Sequence, residues 1–331
     1  MGKKKRAIAA VISLFITIFL LYFLVKQVSL REIFRIFTII PATTIILSFA
    51  LYLGIFLFRA LRFYVLLDGS VPMRKLLNIV AVHTLIGSTI PLRVGELSYI
   101  YLVKKFGTKG AKGLATLIIS RIADVMVLSL FSLIILPHIN QASLPKGMQA
   151  TISIILLLLI AVLVLIVVFK NKFLHFIEDA FSRFRIGRTR PFLWVKTNII
   201  ATLDGFDVMK HKGALGATFL STFAIWFLSF SLFYLLVISI NLPLSFWQVA
   251  FLVVFLVFLP LLPIYGIGGF GTTEAATALV LLIFGIGKEQ AILSSFVLHL
   301  ISFLYTLVAG LIGLLLYTRQ AIHHENKINP P

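Results

Sequence analysis

The chain alternates long apolar runs with short polar breaks, and the runs have helical rather than strand length. The apolar run 7–25 follows Lys3, Lys4, Lys5 and Arg6. No small-residue cleavage site comes after it and more spans do, so it predicts a retained first membrane helix. Residues 29–38 predict a short interfacial helix. Further full spans are predicted near 41–67, 113–136, 150–169, 214–240 and 291–317. Two other stretches, 75–105 and 246–287, are apolar but interrupted by Pro and Gly. Runs this long and unbroken do not suit the alternating strands of a membrane barrel. Helices are then the remaining way to pair every backbone donor in lipid.

Composition agrees. The chain has 331 residues, 60% hydrophobic and only 12% charged, and its mean hydropathy is +1.08. A soluble domain sits near 45–50% apolar and about 25% charged. The absence of cysteine excludes disulfides, thiolate metal sites and cysteine nucleophiles. The net charge of +19 fits cytoplasmic loop bias and anionic headgroups, and no nucleic-acid partner is expected.

Charge also orders the topology. With the N-terminus in the cytoplasm and both broken stretches returning to the side they left, six full spans remain. The cluster Lys104, Lys105, Lys109 and Lys112, the basic segment 171–213 and the tail then fall inside. Lys26, Arg31 and Arg35 run against the bias. If 75–105 crossed completely, the basic 171–213 segment would lie outside. The expected fold is all-α and polytopic, with about six full transmembrane helices plus two re-entrant helical hairpins from opposite sides; an inverted repeat is one reading of that match. Residues 1–331 read as a single integral membrane domain in the cytoplasmic membrane, both termini cytoplasmic. Residues 171–213 form a basic amphipathic connection between its halves, because Phe173, Phe176, Ile177, Phe181 and Phe184 recur at helical spacing.

The two broken stretches share a design. Each is an apolar arm, a Pro/Gly break, then a glutamate opening a second arm: Glu96 and Glu274. Arg121 follows Glu96, and His299 follows Glu274, by the same interval of 25 residues. Paired interrupted segments of this kind point to a midplane binding site. A helix that restarts after a break exposes unpaired N–H groups and partial positive charge, which attract anions. Gly268 and Gly269 lie in the second break, and Thr272 and Thr273 offer hydroxyl caps for the arm that follows. The charges Arg59, Arg62, Arg93, Glu96, Arg121, Asp124 and Glu274 fall within or beside apolar segments and need partners or water. Arg121 and Asp124, three apart, share a helical face. Arg59 and Arg62 lie near one end of their span, where snorkelling is the plain alternative; for the glutamates it is favourable placement at a helix start. The cationic surplus favours an anionic ligand such as a phosphate headgroup.

Other signals carry less. Gly266-Ile-Gly268-Gly-Phe-Gly271 satisfies the dinucleotide string but follows no strand. His323, His324 and Glu325 sit in a polar tail. No Gly-Lys-Ser/Thr phosphate loop occurs, so ATP-driven transport within the chain is not expected, and neither cofactor nor metal is implied.

The segments "IPLRVGEL", "SRIADVMVL" and "PIYGIGGFGTTEAA" resemble the membrane domain of the lysylphosphatidylglycerol synthase family, over about residues 5–318. In fused members of that family a soluble transferase domain places lysine on phosphatidylglycerol and the membrane domain moves the product across the bilayer. The resemblance implies a flippase-like lipid translocator. Its cargo would be a phospholipid or a polyprenyl-phosphate-linked sugar. Because the chain ends soon after its last span, it is expected to lack the transferase domain and to catalyse no lysyl transfer. The alternative is a membrane enzyme, or a scaffold for a separate lipid-modifying transferase; homo-oligomerisation is left open. The family often carries Arg where His299 stands here, and Glu where Ser120 stands.

Overall fold

A computed structural model describes residues 38–90, 94–139, 153–158, 213–258 and 266–328, with isolated positions in between and before. The expected first span 7–25, Arg93, the basic segment 171–213 and the prolines at 260 and 263 lie outside the described residues, as do nearly all of 29–38 and most of the 150–169 span.

Among the described residues the chain is helical throughout. The helices are α1 (Ala42–Leu66), α2 (Met73–Thr89), α3 (Ser98–Lys104), α4 (Gly110–Ile135), α5 (Ala214–Ser239), α6 (Phe246–Phe258), α7 (Thr272–Ile283) and α8 (Lys288–Ile328). Short 3₁₀ turns at Val94–Leu97 and Ile267–Gly269 precede α3 and α7. Among the described residues four stretches are long and apolar enough to cross a membrane: Ala42–Leu66, Gly110–His138, Ala214–Ser239 and Lys288–Ile322.

These helices are apolar on their outward faces as well as within. Leu47, Leu53 and Leu57 on α1, Leu220 and Phe223 on α5, and Leu311 and Leu315 on α8 are exposed. The buried faces carry small hydroxyls among their apolar residues: Ser48, Thr218, Ser221, Thr222, Ser229 and Ser295. Lipid gives apolar side chains no reason to hide, whereas small residues let helix backbones approach. Most of these hydroxyls satisfy their own helix, as when Ser48 Oγ donates to the Thr44 carbonyl (2.7 Å) and Ser229 Oγ to that of Ile225 (2.7 Å).

α1 and α5 pack antiparallel, with Leu228 against Gly54 and Thr222 against Arg62. α8 is the long spine. Its first half carries α7 and its second half carries α2. The second contact depends on two glycines. A Cβ at Gly310 would stand 2.5 Å from Leu85 Cβ, and one at Gly313 would stand 2.5 Å from Ala81 Cβ. Tyr305 ties α8 to α1, its hydroxyl 2.6 Å from Ser48 Oγ and 3.0 Å from the Ile45 carbonyl.

In each interrupted stretch the flanking helices pack on one another, α2 on α3 and α6 on α7. At the base of the first, Lys75 Nζ sits 4.3 Å from the ring centre of Phe106, and Lys112 Nζ donates to the Leu67 carbonyl (2.9 Å). Thus the end of α1, both feet of the α2/α3 pair and the start of α4 lie together. At the other end of α4, His138 stacks on Trp247 at the start of α6 (4.3 Å), and Phe251 meets Phe284 just beyond α7 (5.8 Å). The feet of the α6/α7 pair therefore stand at the opposite end of the bundle.

Candidate functional site

The first break is held by close backbone approach. Gly95 lies against α2, where a Cβ would come within 2.5 Å of the Ile86 carbonyl oxygen. That contact fixes the 3₁₀ turn and aims Glu96 at α4. Arg121 Nε donates to Glu96 Oε2 (3.1 Å), and Arg121 Nη1 donates to Asp124 Oδ2 (3.3 Å). The pairing of 121 with 124 follows from their spacing on one helical face.

Asp124 is the hub. Arg62 reaches it from α1 as a fork, Nη1 to Oδ1 at 2.6 Å and Nη2 to Oδ2 at 3.4 Å. Trp226 Nε1 on α5 donates to the same Oδ1 (3.2 Å), and Arg62 Nη1 also donates to Thr222 Oγ1 (3.2 Å). The side chains of Arg62 and Asp124 are only 4% and 8% exposed, while that of Arg121 is 44% exposed. Snorkelling, the plain alternative for Arg62, does not describe it: its guanidinium turns inward onto the Asp124 carboxylate. A charged side chain at a helix centre costs roughly 2.5–3.5 kcal/mol on insertion scales, so unpaired burial is disfavoured. Arg62 Nε remains buried without a hydrogen-bond partner among the described residues.

Arg59, one turn earlier on α1, differs from Arg62 and Arg121. It is half-buried, and among the described residues it makes no ion pair. Its hydrogen bond from Nη1 to Thr84 Oγ1 is long, 3.5 Å. It borders a cavity of about 250 Å³ between α1, α5, α6 and α8, with Tyr52, Trp226, Ser229 and Ser302 among the lining residues. A second cavity, about 160 Å³, lies between α4 and α6 against Leu156; Ser132 is its only hydroxyl-bearing lining residue.

The second break is built from glycine. Gly268 (φ 64°) and Gly271 (φ 82°) hold left-handed backbone that other residues resist. Glu274 is fully buried, and Gly271 N–H donates to its Oε2 (2.7 Å). His299 Nδ1 on α8 donates to Oε1 (2.8 Å). The expectation of threonine caps is corrected here. The start of α7 carries no hydroxyl cap; its own glutamate reaches back to the Gly271 N–H. Thr272 Oγ1 instead donates to the Gly269 carbonyl (3.0 Å) and accepts from Gly266 N–H (3.3 Å), bracing the turn. Thr273 is half-buried, with no side-chain hydrogen bond among the described residues. The N-terminus of α7 is thus already occupied by a carboxylate, which weakens its claim as an anion seat.

The structure brings Glu96, Arg121, Asp124 and Arg62 into one chain of contacts and Glu274 with His299 into another. The 3₁₀ turn at Ile267–Gly269, at the end of the second break, touches α2, the first arm of the first interrupted stretch. Sequence reasoning missed Trp226, Thr222, Tyr52, Ser229 and Ser302. A Trp in an apolar span gives no sign that its N–H faces a carboxylate. His83 on α2 places its Nδ1 3.2 Å from Ser98 Oγ on α3.

Apolar outward faces, small polar residues within, and charges paired between helices define a multi-pass helical membrane protein. The match to the family model described as the lysylphosphatidylglycerol synthase TM region covers residues 10–310, and the chain belongs to that family. A comparison with curated proteins returns no match.

Proposed function

We propose that the protein is a lipid translocator that moves a phosphate-containing lipid, a phospholipid or a polyprenyl-phosphate-linked sugar, across the cytoplasmic membrane, with no catalysis by this chain. The observation that carries this reading is the contact of the Ile267–Gly269 turn with α2, between two interrupted stretches whose feet stand at opposite ends of the bundle, together with a cavity bordered by Arg59, which makes no ion pair among the described residues. Broken backbone at membrane depth is tolerated where it is buried in protein or lines a wet cavity. A headgroup passing through hydrocarbon must shed its water, and a polar seat halfway lowers that barrier. Acyl chains stay in lipid throughout.

In this reading the α2/α3 and α6/α7 pairs are re-entrant hairpins from opposite leaflets, alongside six full spans, with both termini in the cytoplasm. Lys75, Lys104, Lys105 and Lys112 then lie on the cytoplasmic side, as the positive-inside rule asks. Arg59 and Arg121 meet the phosphate; Glu96, Asp124 and Glu274 balance charge or bind amines and hydroxyls. A separate lipid-modifying transferase would supply or consume the cargo.

The test is reconstitution into liposomes with fluorescent or isotopically labelled lipids. Headgroup-dependent transbilayer movement above protein-free vesicles is the expected result. A correctly folded protein that moves no lipid, yet binds or stimulates a transferase, would replace this reading with the scaffold.

A further inference from the structure

We infer that the cavity beside Arg59 is a seat for a singly charged phosphodiester, with Arg59 as its principal ligand. This rests on the translocator reading and narrows its cargo. The inference begins from charge. Arg62 and Arg121 are matched by Asp124 and Glu96 within one continuous set of contacts. The two positive charges of that set meet two negative ones, so as a unit it is neutral. Arg59 makes no ion pair with it, and among the described residues its side-chain hydrogen bond is the long contact to Thr84. Its guanidinium therefore has no carboxylate in direct contact among the described residues, and it borders a cavity of about 250 Å³.

The surroundings suit an oxyanion. Ser229 and Ser302 line the cavity, as does Tyr52, whose hydroxyl lies 2.7 Å from Thr306 Oγ1. Ser229 and Ser302 each donate to their own helix, at 2.7 and 2.8 Å, and either hydroxyl can rotate to donate into the cavity instead. The guanidinium is a planar fork that matches two phosphate oxygens. Trp226, Ile55 and Val253 supply apolar walls, beside which a charge-assisted hydrogen bond is stronger than in open water.

The cavity also lies between the two halves of the site. Trp226 in its wall donates to Asp124, which leads through Arg121 to the first break. Ser302 in its wall sits one turn along α8 from His299, which holds Glu274 of the second break. A bound headgroup there is within reach of both.

The charge selects the ligand. A diester carries one negative charge, which Arg59 neutralises. A monoester carries about −1.5 to −2 at neutral pH, and a pyrophosphate linkage also carries more than one, leaving uncompensated charge in a low-dielectric site. Phospholipids with a diester head, and sugars joined to a lipid through a single phosphate, share the favoured chemistry.

The experiment uses the full-length chain in nanodiscs of zwitterionic lipid, titrated calorimetrically. The probes are short-chain phosphatidylglycerol, short-chain phosphatidic acid and glycerophosphoglycerol, which has the same diester without acyl chains. Phosphatidylglycerol is expected to bind, and Arg59→Gln to weaken it by about tenfold or more. Phosphatidic acid is expected to bind no more tightly than the diester. Arg59-dependent binding of glycerophosphoglycerol at equal strength supports the seat and makes the soluble diester its ligand; weaker binding supports the seat and makes the lipid its ligand. Unchanged affinity in Arg59→Gln, or a clear preference for the monoester, overturns the inference. Should Arg59→Gln fail to elute as a single species, Ser302→Leu fills the cavity without altering charge. It should weaken binding to a similar degree, and unaltered binding overturns the proposal. Lipid movement is followed on the same preparations. Movement that persists with no Arg59 dependence of binding removes this inference alone; Arg59-dependent binding without movement removes the translocator reading alone.

Discussion

His299 Nδ1 lies 2.8 Å from Glu274 Oε1, across the interval of 25 residues that also separates Glu96 from Arg121, a pair meeting at 3.1 Å. In each half the glutamate closes a broken turn and a cationic or polar side chain of the following long helix holds it there. The first pair is partly exposed and uses a permanent charge; the second is buried and uses an imidazole.

Glu274 is fully buried and accepts two hydrogen bonds, so truncation leaves both donors stranded. Glu274→Ala is expected to destabilise the protein by about 3 kcal/mol, and Glu274→Gln by less, because the amide oxygen still accepts one bond. Thermal unfolding in detergent, followed by fluorescence-detected size exclusion, checks the order.

Arg62 and Asp124 form a buried fork, so either one alone is worse than neither. Arg62→Met and Asp124→Asn should each cost about 3–5 kcal/mol. The double variant should lose less than the sum, with a coupling of order 1–3 kcal/mol. A double-mutant cycle by denaturant or thermal unfolding measures it. Strict additivity would mean that the pair is not coupled.

The seating of α2 on α8 leaves no room at Gly313. Gly313→Val is expected to cost about 1–3 kcal/mol through overpacking against Ala81, while Ala81→Gly in the same chain restores part of the loss. The same unfolding assay reads both.

The native chain has no cysteine, so labelling is free of background. Lys75→Cys and Phe106→Cys should cross-link with each other and react with an impermeant maleimide from one face only. Trp247→Cys and Phe284→Cys should react from the opposite face. Labelling of Lys75→Cys and Phe106→Cys from opposite faces would turn the first hairpin into a span and reverse everything after it.

Arg121 is half-exposed, and a surface ion pair contributes only about 0–1 kcal/mol. Arg121→Ala and Glu96→Gln should therefore fold normally yet reduce lipid movement in liposomes by about tenfold or more, since each removes charge from the approach to the cavity. Full transport by a well-folded Arg121→Ala would confine that residue to a structural role.

The run lengths of apolar residues alone determined that the chain is helical and crosses a membrane. A hydrocarbon core sets a minimum span and forbids unpaired backbone, so composition and spacing suffice. The boundaries of α1, α4 and α5 follow the expected 41–67, 113–136 and 214–240 within a few residues. α8, expected over 291–317, extends to 288–328, because its polar tail holds good helix formers that hydropathy does not register. The paired glutamates and their interval were readable because a repeated break leaves a repeated mark. Only the tertiary structure decided where the guanidiniums point. Arg59 and Arg62 are one turn apart in the same span and look alike in sequence. One meets Asp124 from a helix 62 positions away and the other meets a cavity. A charge in oil is settled by whichever partner the packing of other helices brings near, and that partner leaves no trace beside the residue it pairs with.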